Sequence, residues 1–152
     1  MNFVLWAAFG CLLLMLPMTA AEPGVKIQVV GGTIVDAAAK PGGRLDFTGN
    51  ETLVVKAAKN AILIPYTRIN TLEYGQNVSR RYAEAVLISP VLLLSKSRKH
   101  FVTVGFQDTD GKQQALVFRV DKGDIRSVLA ALEARTGRRV EYQDQEARKS
   151  GK

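Results

Sequence analysis

Apolar and polar residues alternate with a period of two through much of residues 25–74, which is the pattern of half-buried β-strands. Gly31-Gly32 interrupts this pattern, and turn residues at 41–43 and 49–50 separate later apolar runs. Pro65 follows a run that looks buried, and it indicates a kink, a bulge or a sheet edge. The pattern therefore predicts β-structure only, with strands at 25–30, 33–35, 44–48, 52–56, 61–64 and 70–74.

Two further β-type runs, residues 100–107 and 114–120, are joined by five residues that contain Asp110-Gly111. An Asp-Gly pair between alternating runs is a strong pattern for a β-hairpin. Each run has one apolar face that a core can cover. These faces consist of Val102, Val104 and Phe106 in the first run, and of Leu116, Phe118 and Val120 in the second.

The apolar period then changes from two to that of a helix. Asp124 is placed to cap this helix, and Gly137 is placed at its C′ position. Residues 138–142 are predicted to form one last short strand, and the polar tail at 143–152 is predicted to be disordered. The apolar stripe of the helix consists of Ile125, Val128, Leu129 and Leu132.

Short antiparallel strands that end in one amphipathic helix predict a mainly β fold, a small barrel or sandwich whose open end the C-terminal helix plugs. In this respect the chain resembles the pleckstrin-homology-like superfold, in the form found in small exported bacterial proteins of unassigned role. Residues 62–69, 118–122 and 125–135 carry the resemblance, which covers about residues 43–142. It implies a binding scaffold that docks lipids, peptides or proteins and catalyses no reaction.

The first 21 residues contain no Lys, Arg, Asp or Glu, and residues 3–16 are apolar apart from Gly10. Small residues, Thr19 and Ala21, precede Glu22, as at a signal-peptide cleavage site. We therefore predict a signal peptide at 1–21, a single domain at 22–142, and export to the periplasm or the extracellular space. If the leader is not cleaved, it would instead anchor the protein in a membrane.

An apolar insert at residues 82–95 interrupts the β pattern and has basic residues on both sides. Its large side chains would each favour burial by about 1.5 to 3 kcal/mol, so something must cover them. The cover is a partner protein, an anionic membrane surface or the core of the domain itself, and the sequence leaves all three open. The residues predicted to make the partner or membrane contact are Arg80, Arg81, Leu87, Ile88, Leu92, Leu93, Lys96, Arg98 and Lys99.

The composition contains few residues suited to catalysis. The one cysteine, Cys11, lies in the leader, so the exported chain can form no disulfide and bind no zinc through sulfur. The one histidine, His100, is predicted to be a half-buried strand residue whose proton affinity Arg98 and Lys99 lower. We therefore predict no enzymatic activity, no cofactor and no metal site.

The formal net charge of +7 falls entirely on the residues after the leader. A basic domain is attracted to anionic surfaces. For an exported protein, lipid headgroups, acidic glycans and acidic proteins are the expected anionic partners, and nucleic acid is not. The sequence thus predicts a binding module and does not identify what it binds.

Overall fold

The fold is built on one mixed β-sheet in the computed structural model, which describes residues 23–34, 42–57, 60–76, 87–88 and 99–151. A short 3-10 helix, Tyr66–Arg68, connects two of its strands, and two α-helices, α1 (Ile125–Thr136) and α2 (Gln145–Gly151), follow the sheet's long strands. Within the described residues the strands are β1 (Val25–Gly32), β2 (Gly42–Asp46), β3 (Thr52–Ala57), β4 (Asn60–Pro65), β5 (Ile69–Gly75), β6 (Leu87–Ile88), β7 (His100–Gln107), β8 (Gln113–Val120) and β9 (Glu141–Tyr142).

The strand order is β4-β3-β2-β1-β8-β7-β5-β9, and β6 pairs with β1 outside this path. All neighbours are antiparallel except β9, which runs parallel to β5. The described strands form an open sheet with β4 at one end and β9 at the other. The prediction of a mainly β fold with a C-terminal helix is confirmed, whereas a closed barrel or a sandwich is not.

Helix α1 contacts both ends of this sheet. Laid flat, eight strands would span about 34 Å, while a twelve-residue helix is only about 18 Å long. Nevertheless, Arg135 in α1 donates to the carbonyl oxygen of Gly49, before β3, at 3.1 Å. Glu133 accepts a bond of 2.8 Å from the backbone of Val140, just before β9. The sheet therefore curls around α1, and its concave face becomes the core.

The main core lies between the concave face of the sheet and α1. All four residues of the predicted helix stripe are buried there, among them Leu132 with no exposed surface. Burial of each large apolar side chain stabilises the fold by roughly 1.5 to 3 kcal/mol. The largest fully buried side chains of this core are Tyr74, Phe118, Leu45, Leu53, Ile64, Ile69, Leu72, Leu116, Ile125, Leu132 and Val29.

The predicted hairpin is confirmed as β7 and β8, which pair from His100↔Val120 to Gln107↔Gln113. Asp108 accepts bonds of 2.9 Å from the backbone of Asp110 and of Lys112, and these bonds fix the turn. Gly111 has a φ of +77°, which favours glycine at this position. The turn chemistry thus sets the register of these two eight-residue strands.

Helix α1 is also confirmed, and its C-terminus has the predicted form. Gly137 adopts a left-handed φ of +66°, and its N–H donates to Glu133 at 2.9 Å. Asp124 lies at the predicted N-cap position, but its side chain makes no capping hydrogen bond. Instead, the backbone N–H groups of Asp124 and Ile125 both donate to the Asp121 carbonyl, so a backbone turn begins the helix.

Two predictions in the first half of the chain are also wrong. Gly31-Gly32 does not end a strand, because β1 continues through both residues after a register shift and pairs there with β8 and β6. Strand β4 is not buried throughout, because it lies at the sheet edge and leaves Leu63 63% exposed. Pro65 ends this edge strand, in agreement with the edge alternative.

The tail at 143–152 is predicted to be disordered. In the structure it first continues the pairing of β9 with β5 at Gln143 and then forms helix α2. The N–H of Gln143 donates to the Tyr74 carbonyl at 3.1 Å and extends the contact with β5. Asp144 then accepts a bond of 2.6 Å from the N–H of Ala147, as an N-cap residue does. Ala147 is fully buried in the core. The disorder prediction failed because these few anchoring contacts order an otherwise polar segment.

The predicted signal peptide at 1–21 lies outside the described residues, as does the insert at 82–95 apart from β6.

We expect Leu132→Ala to lower the free energy of unfolding by about 2 to 5 kcal/mol, because it leaves a cavity between α1 and the sheet. Leu63→Ala makes the same chemical change at an exposed edge position. It should change the free energy of unfolding by about 0.5 kcal/mol or less. Urea denaturation of both variants measures the difference. Equal losses would contradict the assignment of the concave face as the core.

Candidate functional site: a basic cleft at one end of the sheet

A cleft of about 250 Å³ lies where β7 begins and β8 ends. Antiparallel pairing places His100, at the start of β7, opposite Val120, at the end of β8. Strand β5 ends beside them, because Gly75 pairs with Phe101. The cleft is lined by Gln76, Lys99, His100, Arg119, Val120, Asp121, Lys122 and Ser150.

A buried hydrogen-bonded group forms the floor of this cleft. The Tyr74 hydroxyl lies 2.5 Å from Nδ1 of His100, and the two rings stack with centroids 6.0 Å apart. Ser150, in the last turn of α2, hydrogen-bonds the same hydroxyl. All three groups are satisfied when Ser150 donates to the phenol oxygen and Tyr74 donates to a neutral Nδ1, which leaves the imidazole proton on Nε2.

Burial lowers the pKa of His100 below its ordinary value of 6.5, and the positive charge of Lys122 lowers it further. The imidazole is therefore neutral at pH 7. The lowered proton affinity agrees with the sequence prediction in direction, but its cause differs, since burial and Lys122 account for it. Burial also raises the pKa of Tyr74, so its phenol stays protonated. The pair thus presents polar atoms without net charge.

The rim of the cleft is strongly basic. Lys99, Arg119 and Lys122 line it together, and Asp121 contributes the one carboxylate among the lining residues. Lys99 is only 7% exposed, which is unusual for lysine. A concave site with several cations and one carboxylate attracts anions. The arrangement therefore suits binding of a negatively charged group.

Two other grooves lie beside α2, with volumes of about 380 Å³ and 490 Å³. Arg148 and Tyr142 line both, and the first has three arginines and one carboxylate, Glu133, which is the same balance of charge as in the basic cleft. Neither is lined by His100 or Ser150, the two members of the buried hydrogen-bonded group that line the basic cleft. The basic cleft is therefore the strongest candidate site in the described part of the chain.

Three of the predicted contact residues lie within the described residues. The structure places Lys99 in the wall of the cleft. Leu87 and Ile88 form β6 and pair with Gly32 and Gly31 of β1, away from the cleft. The other predicted contact residues, Arg80, Arg81, Leu92, Leu93, Lys96 and Arg98, lie outside the described residues, and their role stays a prediction.

The sequence analysis did not select Tyr74, Arg119, Lys122 or Ser150. Two of them, Arg119 and Lys122, could have been found from the predicted hairpin. If the two strands are paired residue by residue from the Asp110-Gly111 turn, His100 lies opposite Val120 and close to both. Tyr74 looked like an ordinary core residue of an alternating strand. No pattern in the sequence connects Ser150 to this site, since it reaches the cleft only through the packing of α2.

The fold and the cleft together describe a mainly β protein with a basic cleft at one end of its sheet. No protein-family model matches the chain, and no curated protein matches it at a significant level. In the described residues there is no group of three or more His, Cys, Asp or Glu side chains that could hold a metal ion. None of the described helices has the length and apolar content needed to span a membrane.

We expect stability to fall as the pH drops below about 6.5, because the unfolded chain then binds a proton at His100 that the folded state resists. The loss should not exceed about 1.4 kcal/mol per pH unit, the limit for one proton. Urea denaturation between pH 5 and pH 8 measures it, and His100→Gln should flatten the profile in this window. Asp46 and Asp108, whose pKa values are lowered, lose their contributions only in stronger acid. An unchanged slope in His100→Gln would assign the effect to other groups.

We expect Tyr74→Phe to lower the free energy of unfolding by about 1 to 3 kcal/mol, because Nδ1 of the buried His100 loses its partner. Tyr142→Phe is the matched control, since it removes the same atom from the half-buried ring that contacts Tyr74 edge-on. The control should change stability by about 0.5 kcal/mol or less in thermal or urea denaturation. Equal losses in the two variants would show that the hydrogen bond contributes nothing specific.

Proposed function

We propose that this chain is an exported, non-catalytic binding module that recognises a phosphate-type oxyanion in the basic cleft. The observation that supports this most is the convergence of Lys99, Arg119 and Lys122 on one concave site. These cations come from the residue before β7, from β8 and from the turn after β8, so they can surround a tetrahedral anion from several directions. Charge-assisted hydrogen bonds from such groups are the usual means of binding phosphate.

The size of the cleft limits what can fit inside it. Its volume of about 250 Å³ is below the roughly 300 to 1,000 Å³ of typical small-molecule sites. A single ionic group fits this space better than a whole organic cofactor. The phosphate would therefore be one group of a larger partner that extends beyond the rim.

The floor of the cleft favours binding over catalysis. Nδ1 of His100 is occupied by the Tyr74 hydroxyl, and Ser150 also hydrogen-bonds this hydroxyl. A serine nucleophile needs a base that accepts its own proton, and here the tyrosine lies between the two groups. The network instead holds neutral polar atoms in fixed positions beneath the cations, which suits recognition of an anion.

The proposals on export and on the PH-like superfold have separate support. The apolar leader at 1–21 supports export. The PH-like assignment is supported by the antiparallel strand order and by the position of α1 directly after the β7–β8 hairpin. In such a scaffold, function depends on the site and not on the fold alone. The cleft is therefore the part of the structure to test.

A second candidate function is peripheral docking on an anionic membrane. Lys99 favours it, because this residue belongs both to the basic flank of the insert and to the cleft wall. Each cation close to an anionic lipid surface contributes about 1 kcal/mol. The phosphate bound in the cleft would then be a lipid headgroup, and binding would need a bilayer.

We expect the protein to bind inorganic phosphate in a calorimetric titration at low salt, and Lys122→Gln to weaken this binding roughly fivefold, since an exposed charge pair contributes about 1 kcal/mol. Lys112→Gln is the matched control. Lys112 lies in the turn at the opposite end of the β7–β8 hairpin, about 25 Å or more from the cleft, and its loss should leave binding unchanged.

The same variants distinguish the two sources of phosphate. Binding to phosphatidylglycerol vesicles without binding of free phosphate would favour the membrane function. Binding of free phosphate with no preference for vesicles would favour a soluble partner. Equal weakening by Lys122→Gln and Lys112→Gln would indicate attraction to the net charge alone and would reject the cleft as a site.

A further inference from the structure

The convex face of the sheet, opposite the main core, carries one cation on each of its first three strands. Leu45 and Val55 pair with each other in the main core, so their chain neighbours Arg44 and Lys56 point to the opposite face. Lys26 pairs with Arg44 and therefore shares this face. Lys26 is exposed, and the other two are partly exposed. We call these three residues the cation row.

The members of the cation row are direct cross-strand partners. Lys26 in β1 pairs with Arg44 in β2, and Arg44 pairs with Lys56 in β3. The Cβ atoms of such partners are only about 5 Å apart, and like charges in these positions destabilise a sheet. An anion that lies along the cation row would replace this repulsion with attraction.

One carboxylate of the described residues lies close to the cation row on the same face. Hydrogen bonds from Thr48 lower the pKa of the Asp46 carboxyl, and the charge of Lys56 lowers it further. Asp46 is only 8% exposed, and it accepts bonds of 2.9 Å and 2.7 Å from the N–H and the hydroxyl of Thr48. One carboxylate against three cations leaves this part of the face positively charged.

The cation row leads to the basic cleft. Arg119, which lines the cleft, pairs with Gln28 of β1. Lys26 lies two residues from Gln28 on the same face, so it is a diagonal neighbour of Arg119 at about 7 to 8 Å. Strand spacings of about 4.8 Å then place Lys56 about 14 Å from β8. Although Asp121 also lines the cleft, positive charge extends from the cleft across β8, β1, β2 and β3.

We infer that the cleft and the cation row together bind a linear polymer of phosphate-type groups, with one group in the cleft and the following groups along the row. This inference rests on the function proposed for the cleft and names the larger partner that extends beyond its rim. A linear polymer repeats its charge along one line, as the cations do. Several phosphate contacts then act together, because each releases counterions from the polymer.

The residues of this face favour such a polymer over a nucleic acid or a bilayer. Proteins that bind single-stranded nucleic acid stack its bases on aromatic side chains, and strands β1 to β4 contain no aromatic residue. A planar bilayer meets a convex face at few points. Leu63 is the one large apolar side chain exposed on these four strands, and single exposed apolar residues are common on protein surfaces.

Calorimetric titrations at low salt with inorganic phosphate, tripolyphosphate and long-chain linear polyphosphate test this inference, with concentrations counted per chain. We expect the long chain to bind at least about tenfold more tightly than phosphate, because its linked groups bind together. Lys56→Gln should weaken long-chain binding about fivefold, the effect of one exposed charge pair. It should leave phosphate binding unchanged, because Lys56 lies about 14 Å from β8.

Lys112→Gln is the matched control, since it removes an exposed lysine in the turn at the far end of the β7–β8 hairpin and should change neither titration. Thermal denaturation checks that the variants fold. Lys56→Gln should be at least as stable as the natural protein, because it removes a contact between like charges.

Equal weakening of long-chain binding by Lys56→Gln and Lys112→Gln, with phosphate still bound, would overturn the inference and leave the function proposed for the cleft intact. Long-chain binding that Lys56→Gln alone weakens, without any binding of phosphate, would support the cation row and reject the cleft. A deoxythymidine oligonucleotide bound more tightly than polyphosphate of equal charge would overturn the inference in favour of a nucleic acid. Vesicles of phosphatidylglycerol bound without binding of free polyphosphate would overturn it in favour of a membrane.

Discussion

The antiparallel pairing of β1 with β8 is the contact on which the rest of the structure depends. It runs from Ile27↔Val120 to Gly32↔Leu116 and joins the first four strands to the later hairpin. Neither half is expected to be stable alone in a single register, because a small sheet needs a covered apolar face. Joined together, they curl around α1 and share one core. The same end of β1 also pairs with β6 along its other edge, through Gly31 and Gly32.

The cleft depends on the same registers. Because side chains alternate between faces, a slip of one residue in β7 would move His100 away from Tyr74 and turn it to the convex face. The turn formed by Asp108 and Gly111 prevents such a slip from the far end of the hairpin. Bonds in an exposed turn therefore determine the geometry of a buried polar pair about eight residues away. The positions of the rim cations Lys99, Arg119 and Lys122 depend on the same pairing of β7 with β8.

The differences between prediction and structure have a common physical cause. Gly31-Gly32 looked like a break, yet pairing on both edges of β1 holds it as strand. The tail looked disordered because a seven-residue helix is marginal in water. Its order comes from the Asp144 cap, the burial of Ala147 and the close approach of Gly151 to Leu129 and Tyr142. Local propensity predicted neither outcome, because long-range contacts outweigh it there.

The sequence by itself determined the mainly β fold, the β7–β8 hairpin and the end of α1 at Gly137, since alternation, turn residues and helical spacing act over a few neighbours. It also indicated that His100 would be a poor proton acceptor. Only the tertiary structure decided the candidate site, because Tyr74, His100 and Ser150 lie on three elements far apart in the chain. Their meeting depends on the register of β5 against β7 and on the docking of α2, which no local pattern encodes.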